Sequence, residues 1–433
     1  MKRDKKEQET EKEAVVSKFA FPKKREKESG LRAVDGEREN EQRAIEKEDV
    51  RRIRGKFILA IVAIVVIVAV FSNFSNTNYN GYEVVEETSV KNASMIDYIP
   101  YQESLLKYSK DGAIYVNEKG GAVWNETFAM KMPKADVSGE YAAVADLNGN
   151  DVYIFNTEGK VSNTTMPYKI CDVAVASQGV FAVILEGEKE NFINIYDKNG
   201  DQISELQTTI DKSGYPMDID LSEDGTKLFS TYLYLDGADV KNGMAAYNFG
   251  AVGQSENADR MMGAYQLEDT IVPKVEFLDN NTICAFGDNQ FLIYSMREKP
   301  SEKTRIAFDG EVQSIVYNSD YVGIVVPNTE ENKKDGEKAP YVLELYNTNG
   351  RSVLKQKIDF DYENVRMSED EIIFTGGAEC RIYTIKGQLK FSYSFQKNVV
   401  DMVPTGYSKR YIVLYDSGSE VIKLKHESKK ESK

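Results

Sequence analysis

A short pattern recurs along most of the chain and limits its fold more than any other feature. It is an apolar strand ending in or near Tyr, then two to four polar residues, then Gly and a second strand. It reads AIYVNEKGGAVW at 113–124, DVYIFNTEGKV at 151–161, INIYDKNGDQI at 193–203, VLELYNTNGRSV at 342–353 and CRIYTIKGQLKF at 380–391. A weaker copy, AAYNFGAVGQ, occupies 245–254, and LIYSMREKP at 292–300 keeps the strand without the glycine. Glycine takes positive φ at no steric penalty, which a tight hairpin turn requires, so each copy predicts a β-hairpin. Two further short strands precede each hairpin, as in KICDVAVASQG–VFAVILEG and MDIDLSEDG–TKLFSTYLY. The turn glycines Gly120, Gly159, Gly200, Gly250, Gly350 and Gly387 recur 37 to 50 residues apart, with 100 residues across two repeats between Gly250 and Gly350. Four strands in such a period describe a propeller blade. Residues 98–425 carry no useful helical periodicity, which excludes a βαβ reading.

Six full repeats run from about Ala135 to Phe395. The N-terminal piece LLKYSKDGAIYVNEKGGAVWNETF has two or three strands and the C-terminal piece VVDMVPTGYSKRYIVLYDSGSEVIKLK at most three. Pairing these ends closes a seventh blade and leaves no open edge. The expected fold is therefore an all-β, seven-bladed β-propeller, or an eight-bladed one if both ends are fuller. Closure also predicts that the two ends of the propeller lie side by side.

The rest of the chain is read from its charge and hydropathy. Residues 1–56 carry a net charge of +4 and few aliphatic side chains, so they form a charged, largely disordered arm. Within it FAFPKKR at 19–25 reads as a contact for lipid headgroups or a cytoplasmic partner. FILAIVAIVVIVAVF at 57–71 has no polar side chain and follows Arg51, Arg52, Arg54 and Lys56. Extended to residue 74, it predicts a transmembrane signal anchor in the lipid bilayer with the N-terminus cytoplasmic and the propeller extracellular. Residues 75–97 then read as a polar extracellular spacer, 98–425 as the propeller and 426–433 as a charged tail. The chain as a whole carries −15, and its acidic part repels polyanions, so nucleic acid is excluded as a partner.

Histidine and cysteine narrow the chemistry. The one histidine is His426, in the tail, which leaves the folded part without an imidazole for nucleophile activation or metal binding. Cys171, Cys284 and Cys380 are far apart, lack zinc-ligand spacing and read as small core residues. DLNGND at 146–151 offers oxygen donors in Asp146, Asn148 and Asp151, but lacks the downstream bidentate Glu of a calcium loop and falls where a hairpin turn belongs. MDID puts Asp218 and Asp220 on one face of a strand, a pair suited to acid–base work if they meet across a pocket and otherwise lining the channel. Trp124 and Tyr101 read as core or rim residues. No catalytic, cofactor-binding or metal residue is assigned, and no cofactor is expected.

LSEDGTKL at 221–228 resembles the Ser-x-Asp-Gly turn of tryptophan-aspartate-repeat and lactonase-like propellers, and the Tyr-x-x-x-Gly hairpins resemble quinoprotein-type propellers. The Trp-Asp dipeptide is absent and Trp124 is the sole tryptophan, so neither family's docking pattern is present. LLKYSKDG (105–112), VWNETFAMKMP (123–133), SGYPMDIDLSEDG (213–225), YNFGAVGQ (247–254), VPKVEFL (272–278) and DMVPTG (401–406) together resemble an uncharacterised family of membrane-anchored propellers from low-GC Gram-positive anaerobes. That resemblance implies the architecture and no activity.

The expected function is a membrane-anchored extracellular platform whose loops hold an envelope protein or wall polymer, without catalysis. Of two insertions, 328–340 and 236–265, the second is favoured as the contact surface because it carries Met261, Met262 and several glycines. The alternative is a carboxylate-based, glycan-active hydrolase or lyase, recognised by converging acids with raised pKa in a central pocket. A sensor acting through a single membrane helix ranks third.

Overall fold

A computed structural model describes residues 61–65, 78–88, 97–209, 213–329, 339–416 and 418–426. The chain divides into two compact units, Met1–Ser75 and Asn76–Lys433. In the second, the described residues form eight four-stranded antiparallel sheets. Seven are built from four consecutive strands and make blades 1 to 7, at 97–127, 133–165, 169–209, 215–267, 274–307, 314–358 and 364–394. Blade 8 takes its three inner strands from 399–425 and its outermost strand, Gly81–Thr88, from the start of the unit.

The blade count is thus eight, not seven. Residues 97–127 hold a complete blade, because Asp97–Tyr101 supplies the inner strand that the sequence reading left out. The incomplete C-terminal end is finished by GYEVVEET, which had been read as part of a polar spacer. Its residues Glu83 to Glu87 are all exposed, as suits an outermost strand with one partner and a wet surface. The ends of the propeller do meet, but through this strand and not through the 105–127 piece: Gly81 pairs with Lys425, and the Tyr79 ring stacks on His426 at 4.7 Å.

The expected membrane anchor is withdrawn. Only Ile61–Val65 of the apolar run is described, as helix. No helix among the described residues is long and apolar enough to cross a membrane. The single-pass topology, the extracellular placement and the bilayer as a partner rested on that run and go with it. The charged arm, FAFPKKR, the remainder of 57–74 and residues 427–433 lie outside the described residues.

The core is divided among blade interfaces. Each of eight hydrophobic clusters joins neighbouring blades, and one of them, with Leu105, Val403, Ile412 and Leu414, joins blade 8 to blade 1 and completes the circle. The second strand of blade 3, Phe181–Glu186, illustrates how. Phe181, Val183 and Leu185 pack on blade 2, while Ala182 and Ile184 pack on blade 4. Alternate side chains face opposite neighbours, so both faces are dry and the middle strands read as unbroken apolar runs. Outer strands such as Gln202–Thr209 bury only occasional positions.

The recurrent hairpin turns are locked by an Asx residue one or two positions after the Tyr. Asn117, Asp197 and Asn347 each accept two backbone N–H bonds through Oδ1 from the turn that follows, at 2.8–3.1 Å. Gly200 and Gly350 sit at φ 91° and 77° as the hairpin reading requires. Gly250 departs from it: its φ is −71°, and it precedes a short helix, Ala251–Glu256, in place of a tight turn.

Candidate functional site

The inner strands of blades 2 to 5 gather Lys134, Asp136, Asp172, Asp218, Asp220, Lys274 and Glu276 around the bore, so the two acids of MDID do join other carboxylates. Asp136 Oδ2 accepts the Val175 N–H at 2.7 Å. Asp218 Oδ2 accepts the Val275 N–H at 2.8 Å and Asp220 Oδ2 the Phe277 N–H at 2.5 Å. Each bond crosses from one blade to the next and satisfies a donor on an inner strand edge. Lys274 lies 2.7 Å from Glu276 and 3.6 Å from Asp218, and Lys134 pairs with Asp172.

Burial pushes the Asp136 and Asp218 carboxyls up to about 7, with Glu276 adding to the first and Lys274 opposing the second. Asp220 is also raised, by burial first and then by Glu276 and Asp136. Burial alone would lower Lys274, but Glu276 and Asp218 hold its ammonium well above the usual range. The raised acids thus converge as the glycan-active alternative required. Their bonding overturns that alternative, because each takes a main-chain N–H of the next blade and works as an inter-blade fastener. None of the three clefts described below is lined by them.

Other sequence candidates are structural. DLNGND is a hairpin turn of blade 2. Asp146 accepts the Lys131 and Met132 N–H groups at 2.8 and 2.9 Å, Asn150 donates to the Met166 and Tyr168 carbonyls, and Asp151 accepts from Thr165. Among the described residues no group of His, Cys, Asp and Glu is arranged to hold a metal ion. Trp124 stacks on Phe155 at 4.8 Å and donates to the Asn156 carbonyl, and Tyr101 is buried and donates to the Glu140 carbonyl, both joining blade 1 to blade 2. Cys284 and Cys380 are buried, while half-buried Cys171 touches the Tyr215 hydroxyl at 3.4 Å. In LSEDGTKL, Asp224 accepts from the Ser222 and Thr226 hydroxyls at 2.7 Å, the expected turn.

Blade 4 differs from the other seven. Its second and third strands, Lys227–Asp236 and Asp239–Asn248, have ten residues each and pair to the tip, where Asp236 faces Asp239. Next to the tip Leu235 and Val240 form a cross-strand pair, 67% and 55% exposed, with Ile271 also exposed nearby in sequence to the outer strand. Two exposed aliphatic side chains on one face of a hairpin are held there by no fold requirement visible in the packing.

A slot of about 290 Å³ runs along the face of blade 4 that looks toward blade 3. Its aromatic wall is Tyr232, Tyr234 and Tyr247, with Met261 beside them and Gln207 and Thr208 contributed by blade 3, while the neighbouring Met244 and Tyr265 side chains pack on the blade 5 side. The Tyr232 and Tyr247 hydroxyls lie 3.1 Å apart, and burial raises the pKa of both. Tyr265 donates to the Pro300 carbonyl at 2.8 Å, which fixes that ring from blade 5. A second cleft of about 520 Å³, holding Glu268, Asp269, Thr270, Arg305 and Phe308, lies between blades 4 and 5. A third, about 550 Å³, lies among blades 1, 7 and 8 and mixes Glu103, Glu369 and Glu371 with Lys390, Lys409 and Arg410.

The favoured segment 236–265 therefore includes Val240, Tyr247, Met261 and Tyr265 of this surface. It missed Tyr232, Tyr234 and the blade 3 residues. A signal for the tyrosines was present in TYLYLDG, where period-2 spacing puts both rings on one face. The other insertion, 328–340, is described only at Asn328, Thr329 and its last two residues.

No curated protein matches the chain. Among solved structures it resembles Sqt1 of Chaetomium thermophilum, once bound to the N-terminus of a ribosomal protein (TM-score 0.53, 8% identity, 80% of this chain and 100% of that one) and once alone (0.53, 8%, 79% and 98%). It also resembles BamB from Moraxella catarrhalis (0.48, 11%, 80% and 100%). At these identities the likeness to Sqt1 speaks for the fold alone. A family model described as "Family of unknown function (DUF5711)" matches residues 75–424. This corrects the resemblance drawn from the sequence: the family is uncharacterised, as inferred, but neither its description nor the fold carries the membrane anchoring or the bacterial source attached to it. Matched over most of its length, and folded there as an eight-bladed propeller, the chain belongs to this family of unknown function.

Proposed function

We propose that the protein is a non-catalytic docking platform for other proteins and that blade 4 is its contact surface. The observation that carries this reading is the exposed Leu235–Val240 pair on a hairpin flanked by two clefts. A rigid ring presenting one elongated element is a common way to position a binding surface. The carboxylates that would serve an enzyme are engaged in joining blades. A propeller of similar fold, Sqt1, has been seen with a protein N-terminus bound, which is in keeping with this use of the fold.

The test places a photo-crosslinking residue at Leu235 or Val240 of the full chain in the producing cell. One discrete adduct is expected, reduced at least about tenfold when the untouched member of the pair is changed to Asp (Val240→Asp or Leu235→Asp). Labelling no stronger than at Lys160, an exposed position on blade 2, would sink the reading.

A further inference from the structure

The joint between blade 8 and blade 1 brings the C-terminal strands against the first blade, and its packing differs from that of the other joints. Its cluster holds five buried residues, Leu105, Val403, Ile412, Leu414 and Val421, the fewest of the eight clusters among the described residues. In the second strand of blade 1, Ser104–Ser109, Leu105 packs on blade 8 and Leu106 on blade 2. Alternation turns Lys107 to the blade 8 side. Blade 3 fills the same face of its second strand with Phe181, Val183 and Leu185. Lys107 is 1% exposed. Its Nζ donates to Ser419 Oγ of blade 8 at 3.2 Å and lies 5.6 Å from the centre of the Tyr98 ring. Among the described residues no carboxylate pairs with it. The acids of blade 8 are engaged elsewhere: Asp401 with Arg366, Glu420 with Lys397 and Tyr415, and Asp416 with Asn398. Asp97, beside Tyr98, is exposed. On the next strand Ile114 lies opposite Lys107, and Tyr115 packs on the blade 2 side. Residues 89–96, which lead into Asp97 and lie outside the described residues, contain Lys91 and no acid.

A buried ammonium with one neutral acceptor loses its hydration without a counter-charge to replace it. We propose that the joint between blades 8 and 1 is a proton-linked latch: seating Lys107 against Ser419 favours the neutral amine, and a proton taken up by that amine favours opening of the ring at this joint. Burial pushes the seated amine down to about 8. In an opened joint the amine meets water and returns to the ordinary lysine value of about 10.4. Below about pH 8 the ammonium is present in both states, and the closed joint bears the cost of its desolvation. Between the two values closing releases the proton to bulk water, so closure strengthens as pH rises. One unit above the folded value, at about pH 9, the closed joint is favoured about tenfold more than at pH 7. The small apolar cluster makes this joint the one where such a change is felt first.

The test measures amide hydrogen exchange strand by strand in the full chain, with protection taken relative to the unfolded rate at each pH. Between about pH 7 and about pH 9, protection of Ser104–Ser109 and Gly418–Lys425 should rise about tenfold, while Phe181–Glu186 of blade 3 changes by less than about twofold. Lys107→Met places an unbranched apolar side chain in the same space. It should protect the two joint strands at least about tenfold more than the wild type at pH 7 and remove their gain at pH 9. Ser419→Asp, made in the otherwise unaltered chain, supplies a counter-charge and reads the ammonium whether or not methionine is accommodated. It should raise protection of the same strands at pH 7 and abolish the further gain at pH 9. Equal changes in all blades, a joint with no pH dependence in the wild type, or a loss of protection in Ser419→Asp would overturn the inference.

Discussion

At the scale of single residues, Asp218 shows how a group legible as a catalytic acid is used for construction. Period-2 spacing correctly put Asp218 and Asp220 on one face of a strand. What that face meets depends on the next blade, 57 residues away, whose Val275 and Phe277 N–H groups they accept. The Asp218 carboxyl is raised to about 7 mainly by burial, so the fold favours its neutral form. A folded pKa above the unfolded one contributes stability that is complete below about pH 4 and lost as pH rises to about 7. The melting temperature should therefore decline over that window. Asp218→Asn, whose Oδ1 still accepts from Val275, should flatten the decline. An unchanged slope in thermal scans at pH 4, 5.5 and 7 would contradict the assignment.

At the scale of elements, the hairpins were the best-read part of the chain. The Tyr–polar–polar–Gly spacing reflects local chemistry: an Asx turn closed by main-chain bonds and a residue at positive φ. Gly350 adds a tertiary constraint, because a Cβ there would lie 2.6 Å from Thr304 Oγ1 of blade 5. Gly350→Ala should destabilise by about 1–2 kcal/mol from the left-handed backbone alone, read by chemical denaturation. A loss below a few tenths would show that the turn can relax. Gly250 was misread because its copy of the motif keeps the Asx residue after Tyr247 but has one residue fewer before the glycine; Asn248 still accepts from the Gly250 N–H at 2.9 Å, and a short helix follows in place of the tight turn. Asp97–Tyr101 escaped notice because DYIPY contains a proline and little alternation, both of which argue against a strand unless it lies at an inner edge.

At the scale of the whole molecule, stability depends on closing the ring. Blade 8 has three strands of its own, and without Gly81–Thr88 its last strand, Gly418–Lys425, would present an open edge. Tyr82 packs against Tyr393 and Phe395 of blade 7, so the closing strand also joins two blades. Deleting residues 81–88 should lower the melting midpoint by more than about 5 °C and produce higher-order species on size-exclusion chromatography. A monomer with an unaltered midpoint would show that closure contributes little.

Taken by itself, the sequence determined the all-β class, the four-stranded repeat and most turn positions. These follow from periodicity, turn chemistry and composition, which act over a few neighbouring residues. Only the tertiary structure decided the eighth blade, the strand that completes it, the role of the buried carboxylates and the slot shared by blades 3 and 4. Each of those is a meeting of residues distant along the chain, made by backbone bonds and packing that leave no local signature in the order of the amino acids.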